Sequence, residues 1–164
     1  MIRVAVISDT HGSFRHLPDA VTALGQVDWL LHAGDHLRDV PRVAQALGLP
    51  DERVRGVVGN CCYPQQEPAE CQVEIGGVKF LLVHGHKHGV KTGVERIHYA
   101  AQEAGARVAI FGHSHVAVCV DWGGILILNP GSLSQPRLPG DPPTCAVVAI
   151  EQGQVRGEIL RLPG

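Results

Sequence analysis

Apolar positions in this chain fall into short unbroken runs, and five of those runs end in the same kinds of polar residue. Val4-Ala5-Val6-Ile7-Ser8 leads into Asp9-Thr10-His11-Gly12, and Trp29-Leu30-Leu31 leads into His32-Ala33-Gly34-Asp35. Val57-Val58 precedes Gly59-Asn60, Phe80-Leu81-Leu82-Val83 precedes His84-Gly85-His86, and Val108-Ala109-Ile110-Phe111 precedes Gly112-His113-Ser114-His115. Runs of this length and β-branched content read as strands buried on both faces, the signature of parallel sheets. Open α/β sheets bind their ligands beyond the carboxyl ends of such strands, so five strands are expected to deliver polar groups to one rim.

Helical periodicity fills the gaps. Phe14, Leu17, Val21 and Leu24 predict a crossover helix over 14–25 with Gly25 as its stop. Asp39 is placed to cap a second helix, with Pro41 in its first turn, Val40, Val43, Ala44 and Leu47 on one face, and Gly48 at its end. A third is expected from Val94 to Ala104. This alternation argues for βαβ units and a mainly parallel sheet through the first two thirds of the chain. Further on, Gly76-Gly77, Trp122-Gly123-Gly124 and Gln152-Gly153 each separate two strand-like runs and read as hairpin turns. These antiparallel elements predict a second sheet packed on the first: an α/β sandwich of two mixed β-sheets with helices outside. Residues 134–143, with four prolines, are expected to form a surface loop.

Composition narrows the class. A chain of 164 residues with 45% hydrophobic and 18% charged residues reads as a single globular domain, 1–164, with enough length for its own core. No apolar stretch approaches the roughly 18 residues of a membrane span, and the N-terminus enters a strand pattern directly, so no secretory leader is expected. Five cysteines, an odd number with Cys61 and Cys62 adjacent, fit a reducing compartment better than a disulfide framework, so a cytoplasmic location is expected. Cys71, Cys119 and Cys145 lie in strand-like runs and read as small buried hydrophobes. The formal net charge of −2 with dispersed basic residues offers no footprint for long nucleic acid and leaves small anionic substrates. Neither a G-x-G-x-x-G nor a P-loop pattern occurs.

The ten histidines are the compositional outlier, and several follow strands. Asp9 and His11 stand two apart, so in an extended backbone both side chains leave on one face and can converge on one ion; His113 and His115 repeat the spacing. Carboxylate, imidazole and amide oxygen are ligand types for divalent metals. Taken jointly, D-x-H, Gly34-Asp35, Gly59-Asn60, His84-Gly85 and G-H-x-H resemble the calcineurin-like metallophosphoesterase superfamily. Gly59-Asn60-Cys61, His84-Gly85-His86 and Asn129-Pro130-Gly131-Ser132 resemble, within it, the small phosphodiesterases of the YfcE type.

That resemblance implies a four-layer α/β/β/α sandwich with two divalent metal ions at the rim. It assigns Asp9, His11 and His115 to one metal, Asn60, His84 and His113 to the other, and Asp35 to both. Spacing alone would have let His113 and His115 share an ion. The implied activity is hydrolysis of small phosphodiesters by a hydroxide bridging the two ions, which stand about 3.5–4 Å apart in such centres. Asp35 and Asn60 are thus implicated in catalysis. Mixed O and N ligation admits Mn, Fe, Ni, Co or Zn, with Mn the first expectation. Cys61 stands where many relatives carry a leaving-group histidine; a thiol is a poor general acid, which turns attention to His86. His32 reads as a hydrogen-bonded core residue, His36 as facing either pocket or solvent, and His16 and His98 as ordinary helix residues. Arg137 is a candidate phosphate-binding group. Asn129 to Ser132 are expected to brace the metal loops through hydrogen bonds. Two rivals stand beside the diesterase: a phosphomonoesterase or dinucleotide polyphosphate hydrolase on the same centre, and a non-catalytic interaction scaffold of the retromer-subunit type. Membrane partners are not expected, and the assembly is left as monomer or homo-oligomer.

Overall fold

The computed structural model describes residues 1–60 and 68–164. Its strands form two five-stranded mixed sheets, ordered β10-β9-β1-β2-β3 and β4-β5-β6-β8-β7. The first contains β1 (Ile2–Ile7), β2 (Trp29–His32), β3 (Val54–Gly56), β9 (Thr144–Glu151) and β10 (Gln154–Arg161). The second contains β4 (Glu70–Ile75), β5 (Val78–Val83), β6 (Val108–Ile110), β7 (Val118–Trp122) and β8 (Ile125–Asn129). Helices α1 (Leu17–Leu24) and α2 (Val40–Ala46) cover the first sheet, and α3 (Glu95–Ala104) covers the second. The α/β/β/α sandwich expected from the sequence is the observed architecture.

Strand periodicity explains the layers. Val4 and Val6 of β1, Phe80 and Leu82 of β5, Val108 and Ile110 of β6, and Ala146 and Val148 of β9 point between the sheets into one core. Their neighbours point the other way: Ala5, Ile7, Cys145 and Val147 pack under α1 and α2, while Leu81, Val83, Ala109 and Phe111 pack under α3. Each central strand is therefore apolar at every position because both faces are covered.

The pairing differs from the sequence expectation in two ways. Parallel strands are divided between the sheets, with β1-β2-β3 in one and β5-β6-β8 in the other. The β9–β10 hairpin does not join the second sheet; β9 pairs antiparallel with β1, Ala5 opposite Val147. Alternation of apolar residues specifies that both faces of β9 are buried but not which neighbour it takes. Helix α1 is also shorter than predicted: Phe14 sits in a turn closed by Leu17 N–H donating to the Phe14 carbonyl (3.1 Å), and a proline in the first turn marks the start. No helix among the described residues is long and apolar enough to cross a membrane.

Candidate metal centre

At one end of the sandwich the chain leaves β1, β2, β5 and β6, and passes residues 57–60 beyond β3, on polar loops that face one another. Asp9 Oδ1, His11 Nε2, Asp35 Oδ2 and His115 Nε2 belong to one cluster: a ligand atom from each residue lies within 4.8 Å of the others. His115 Nε2 is 3.2 Å from Asp9 Oδ1 and 3.3 Å from His11 Nε2. Beside this group, His84 Nε2 and His113 Nδ1 each lie 3.0 Å from Asn60 Oδ1. Asp35 Oδ2 stands between the two, 3.6 Å from His11 Nε2 and 3.5 Å from His84 Nε2. All seven sequence candidates are thus brought together.

The backbone achieves this differently from the extended geometry expected of D-x-H. Asp9 (φ 54°), His11 (φ 48°), His113 (φ 67°) and His115 (φ 58°) are all left-handed. Asp9 and His11 still converge, but by turning rather than by sharing a pleat. His113 and His115 diverge, one toward Asn60 and the other toward His11. The glycines in G-D, G-N and G-H have a steric role as well. A Cβ on Gly34 (φ +98°) would stand 2.7 Å from His84 Nδ1; on Gly59 it would strike Asp35, and on Gly112 the Ser8 hydroxyl and the Asp9 carboxylate. Each glycine lets one ligand loop back directly onto another.

Hydrogen bonds orient the donor atoms. His84 donates Nδ1–H to the Ala33 carbonyl (2.6 Å) and His115 donates Nδ1–H to the Gln135 carbonyl (2.7 Å), so Nε2 of each ring is the atom aimed inward, free to offer its lone pair to a cation. Asp9 is fully buried; its Oδ2 accepts from the Ser8 hydroxyl and from His113 N–H (3.1 Å). Its Oδ1 has no hydrogen-bond donor among the described residues, and faces the Nε2 atoms of His11, His84 and His115 at 3.9, 3.9 and 3.2 Å. A buried carboxylate oxygen directed at imidazole lone pairs is destabilised unless a cation sits among them, so the donor set fits divalent metals. Burial disfavours the charged form of His84, yet Asp35, Asp9 and the Ala33 carbonyl outweigh it and raise its pKa above the ordinary imidazole value. Burial, together with His84 and Lys91, holds His113 down at about 4, a neutral ring at physiological pH.

Asn129 to Ser132 brace these loops as anticipated. Asn129 Nδ2 donates to the Gly112 carbonyl (3.0 Å) and Ser114 Oγ (2.9 Å), and the Ser132 hydroxyl donates to the Asp9 carbonyl (2.8 Å). Asp39 does not cap α2 with its side chain; its Oδ2 accepts instead from Gly12 N–H (2.8 Å), tying down the loop that carries His11. That contact, and those of Ser8, Gln135 and Ser134, join residues remote in sequence or carry no distinguishing spacing, so no local pattern announces them. His36 turns toward the pocket, its ring centroid 5.4 Å from that of His11. His86 lies at the rim, 5.4 Å from His84 and 6.2 Å from His113 between ring centroids. Arg137 is exposed on the 134–143 loop. His16 faces Asp19 at 3.8 Å and His98 stacks on Trp122 at 4.1 Å, both away from the centre. Cys61 and Cys62 lie outside the described residues.

Fold and donor set together define a metal-binding phosphoesterase of the two-sheet type, and residues 2–153 match the calcineurin-like phosphoesterase superfamily domain, the family to which this chain belongs. It is 36% identical over 138 residues to the probable metallophosphoesterase YsnB of Bacillus subtilis, covering 84% of this chain and 78% of that one. It is 29% identical over 159 residues to the phosphodiesterase YfcE of Escherichia coli K12, covering 84% and 82%. Its fold matches the crystal structure of a predicted phosphoesterase from Streptococcus pneumoniae with a TM-score of 0.80 and 31% identity, over 98% of this chain and 89% of the other.

Proposed function

We propose that this chain hydrolyses small phosphodiesters at a centre of two divalent metal ions, held by Asp9, His11, Asp35 and His115 on one side and by Asp35, Asn60, His84 and His113 on the other. The observation that most supports a shared centre is the position of Asp35 Oδ2, within 3.6 Å of a donor nitrogen from each group. When bound, such ions make water a nucleophile near neutral pH and neutralise charge on the phosphate oxygens. The chain's own residues do the placing. Asp35 supplies the negative charge that lets two cations approach each other, and the Ala33 and Gln135 carbonyls fix the tautomers of His84 and His115. His86, with its ring beside His84 and His113, is positioned to hydrogen-bond the ester oxygen that departs. A diester fits better than a monoester because the relative named a phosphodiesterase aligns over 84% of the chain. Manganese and a cytoplasmic setting belong to the same proposal.

A metal screen tests it, with bis(p-nitrophenyl) phosphate and p-nitrophenyl phosphate as paired substrates and Asp35→Asn as control. Metal-dependent turnover favouring the diester, and lost in the variant, is the expected result. Preference for the monoester would move the assignment to a phosphomonoesterase; no turnover with any of Mn, Fe, Ni, Co or Zn would favour a scaffold.

A further inference from the structure

We propose that His32 is a positioning residue for the centre, a wedge that locks the Asp9–His11 loop against the Gly34–Asp35 loop and so sets where the two carboxylates stand. The inference rests on the dinuclear reading above. His32 closes β2 with no solvent exposure and is not among the seven converging residues. Gly34 N–H donates to its Nδ1 (3.2 Å), which must therefore carry the lone pair. The proton of the neutral ring is on Nε2, which faces the hydroxyl of Thr10 at 3.3 Å. Thr10 lies between Asp9 and His11, is itself fully buried, and its hydroxyl reaches back to the Asp35 carbonyl at 3.5 Å. One ring thus connects the two loops through a donor on one edge and an acceptor on the other. Burial keeps its pKa at about 4, so the ring holds this neutral, two-sided form.

Among the described residues, backbone bonds that also tie the two strand ends include Asp9 N–H to the Gly34 carbonyl (3.0 Å) and Ala33 N–H to the Ile7 carbonyl (3.0 Å). These align the strand ends, and the His32–Thr10 link adds a side-chain tie to the Asp35 carbonyl. An apolar residue in place of His32 would fill the space and leave the Gly34 amide and the Thr10 hydroxyl without their partner. Asparagine retains an acceptor near the Nδ1 position, and glutamine a donor near Nε2, so the two halves of the link can be removed separately.

The experiment uses the full chain and its His32→Phe, His32→Asn, His32→Gln and Thr10→Val variants, with folding checked by circular dichroism and thermal melts. Mn2+ binding is measured by titration calorimetry, and the Co2+ absorption spectrum reports ligand geometry. Outer partners of metal ligands typically set affinity by about 10- to 100-fold. His32→Phe and Thr10→Val are expected to remain folded, weaken Mn2+ binding by that factor, and shift the cobalt spectrum. Their double variant is expected to be little worse than either alone, since both break one link. His32→Asn or His32→Gln restores part of the affinity, and kcat on the diester falls while KM holds. Wild-type affinity and spectrum in a folded His32→Phe overturn the inference; if the His32 variants do not fold, the same result in Thr10→Val overturns it. A wild-type chain that binds no metal overturns the dinuclear reading itself.

Discussion

The two ends of the sandwich turn the chain in opposite ways. At the end away from the centre the three hairpins reverse through Gly76-Gly77, Gly123-Gly124 and Gln152-Gly153, where glycine takes most of the positive φ values. At the other end Gly12, Gly34, Gly85 and Gly131 are joined in positive φ by Asp9, His11, Asp35, His36, His113 and His115, six of the seven non-glycine residues of this kind among the described residues. Left-handed backbone is nearly free for glycine but costs roughly 1–2 kcal/mol for residues with a Cβ, somewhat less for Asp. One end makes turns at low cost; the other tolerates strain because the side chains there are needed where the strain puts them. Hydrogen bonds hold that strained end in place, the Asp9 carbonyl accepting from both Ser132 and Ser134.

This contrast can be broken at several points. Asp35→Asn removes the negative charge between the two groups and is expected to lower diester turnover by roughly 10^3-fold or more, since metal centres supply several kcal/mol of transition-state stabilisation at about 1.36 kcal/mol per decade; initial rates at saturating Mn2+ check it. Gly112→Ala pushes a methyl into Ser8 and Asp9, and should cost about 1–3 kcal/mol by overpacking and about 10- to 100-fold in metal affinity. Gly124→Ala is its counterpart at the far end, with φ +83° and open space around the new Cβ. It should lower stability by about 1 kcal/mol and leave metal binding intact, as urea denaturation and calorimetry would show. Equal losses of metal affinity in the two variants would erase the distinction between the ends.

Smaller changes sharpen it. Ser132→Ala leaves the Asp9 carbonyl with one fewer donor and removes the acceptor of Gln135 N–H (2.8 Å), a loss of about 1–3 kcal/mol of unfolding free energy, read from urea denaturation. Gln152→Gly relieves the one left-handed non-glycine turn outside the centre among the described residues (φ 50°) and should raise the melting temperature by about 1–3 °C with activity unchanged. The smallest expected effect is none. Cys145 directly follows Thr144, whose N–H donates to the Ser132 carbonyl (3.1 Å), and burial pushes its thiol up to about 12. Native protein at pH 8.5 should leave Cys145 unmodified by iodoacetamide in a peptide map, whereas urea exposes it. Rapid native labelling would mean that the site end opens more readily than its packing indicates.

Much of this was legible in the sequence because it depends on local chemistry. Apolar runs such as Val4 to Ile7 and Phe80 to Val83 are continuous since both faces of a central strand are covered, and the polar residues after them mark strand ends whatever sheet the strands join. Hence the layers, the rim and the seven candidates came from pattern and family resemblance. Which sheet receives the β9–β10 hairpin did not, because a strand buried on both faces satisfies any neighbour equally well at the level of sequence. Nor did the backbone of Asp9-Thr10-His11: spacing of two suggested a pleat, whereas the observed left-handed turns are imposed by contacts with Gly34, Ser132 and Asp39.

The amino-acid sequence by itself determined the alternation of strands and helices, the residue types at the rim and the glycines that allow close approach. Tertiary structure alone decided the orphaned oxygen of Asp9, the left-handed turns that part His113 from His115, and the link through His32. The physical reason is range. Periodicity and turn chemistry act over a few residues, whereas the charge and lone pairs of a metal site are balanced by groups that meet only after the sheets have packed.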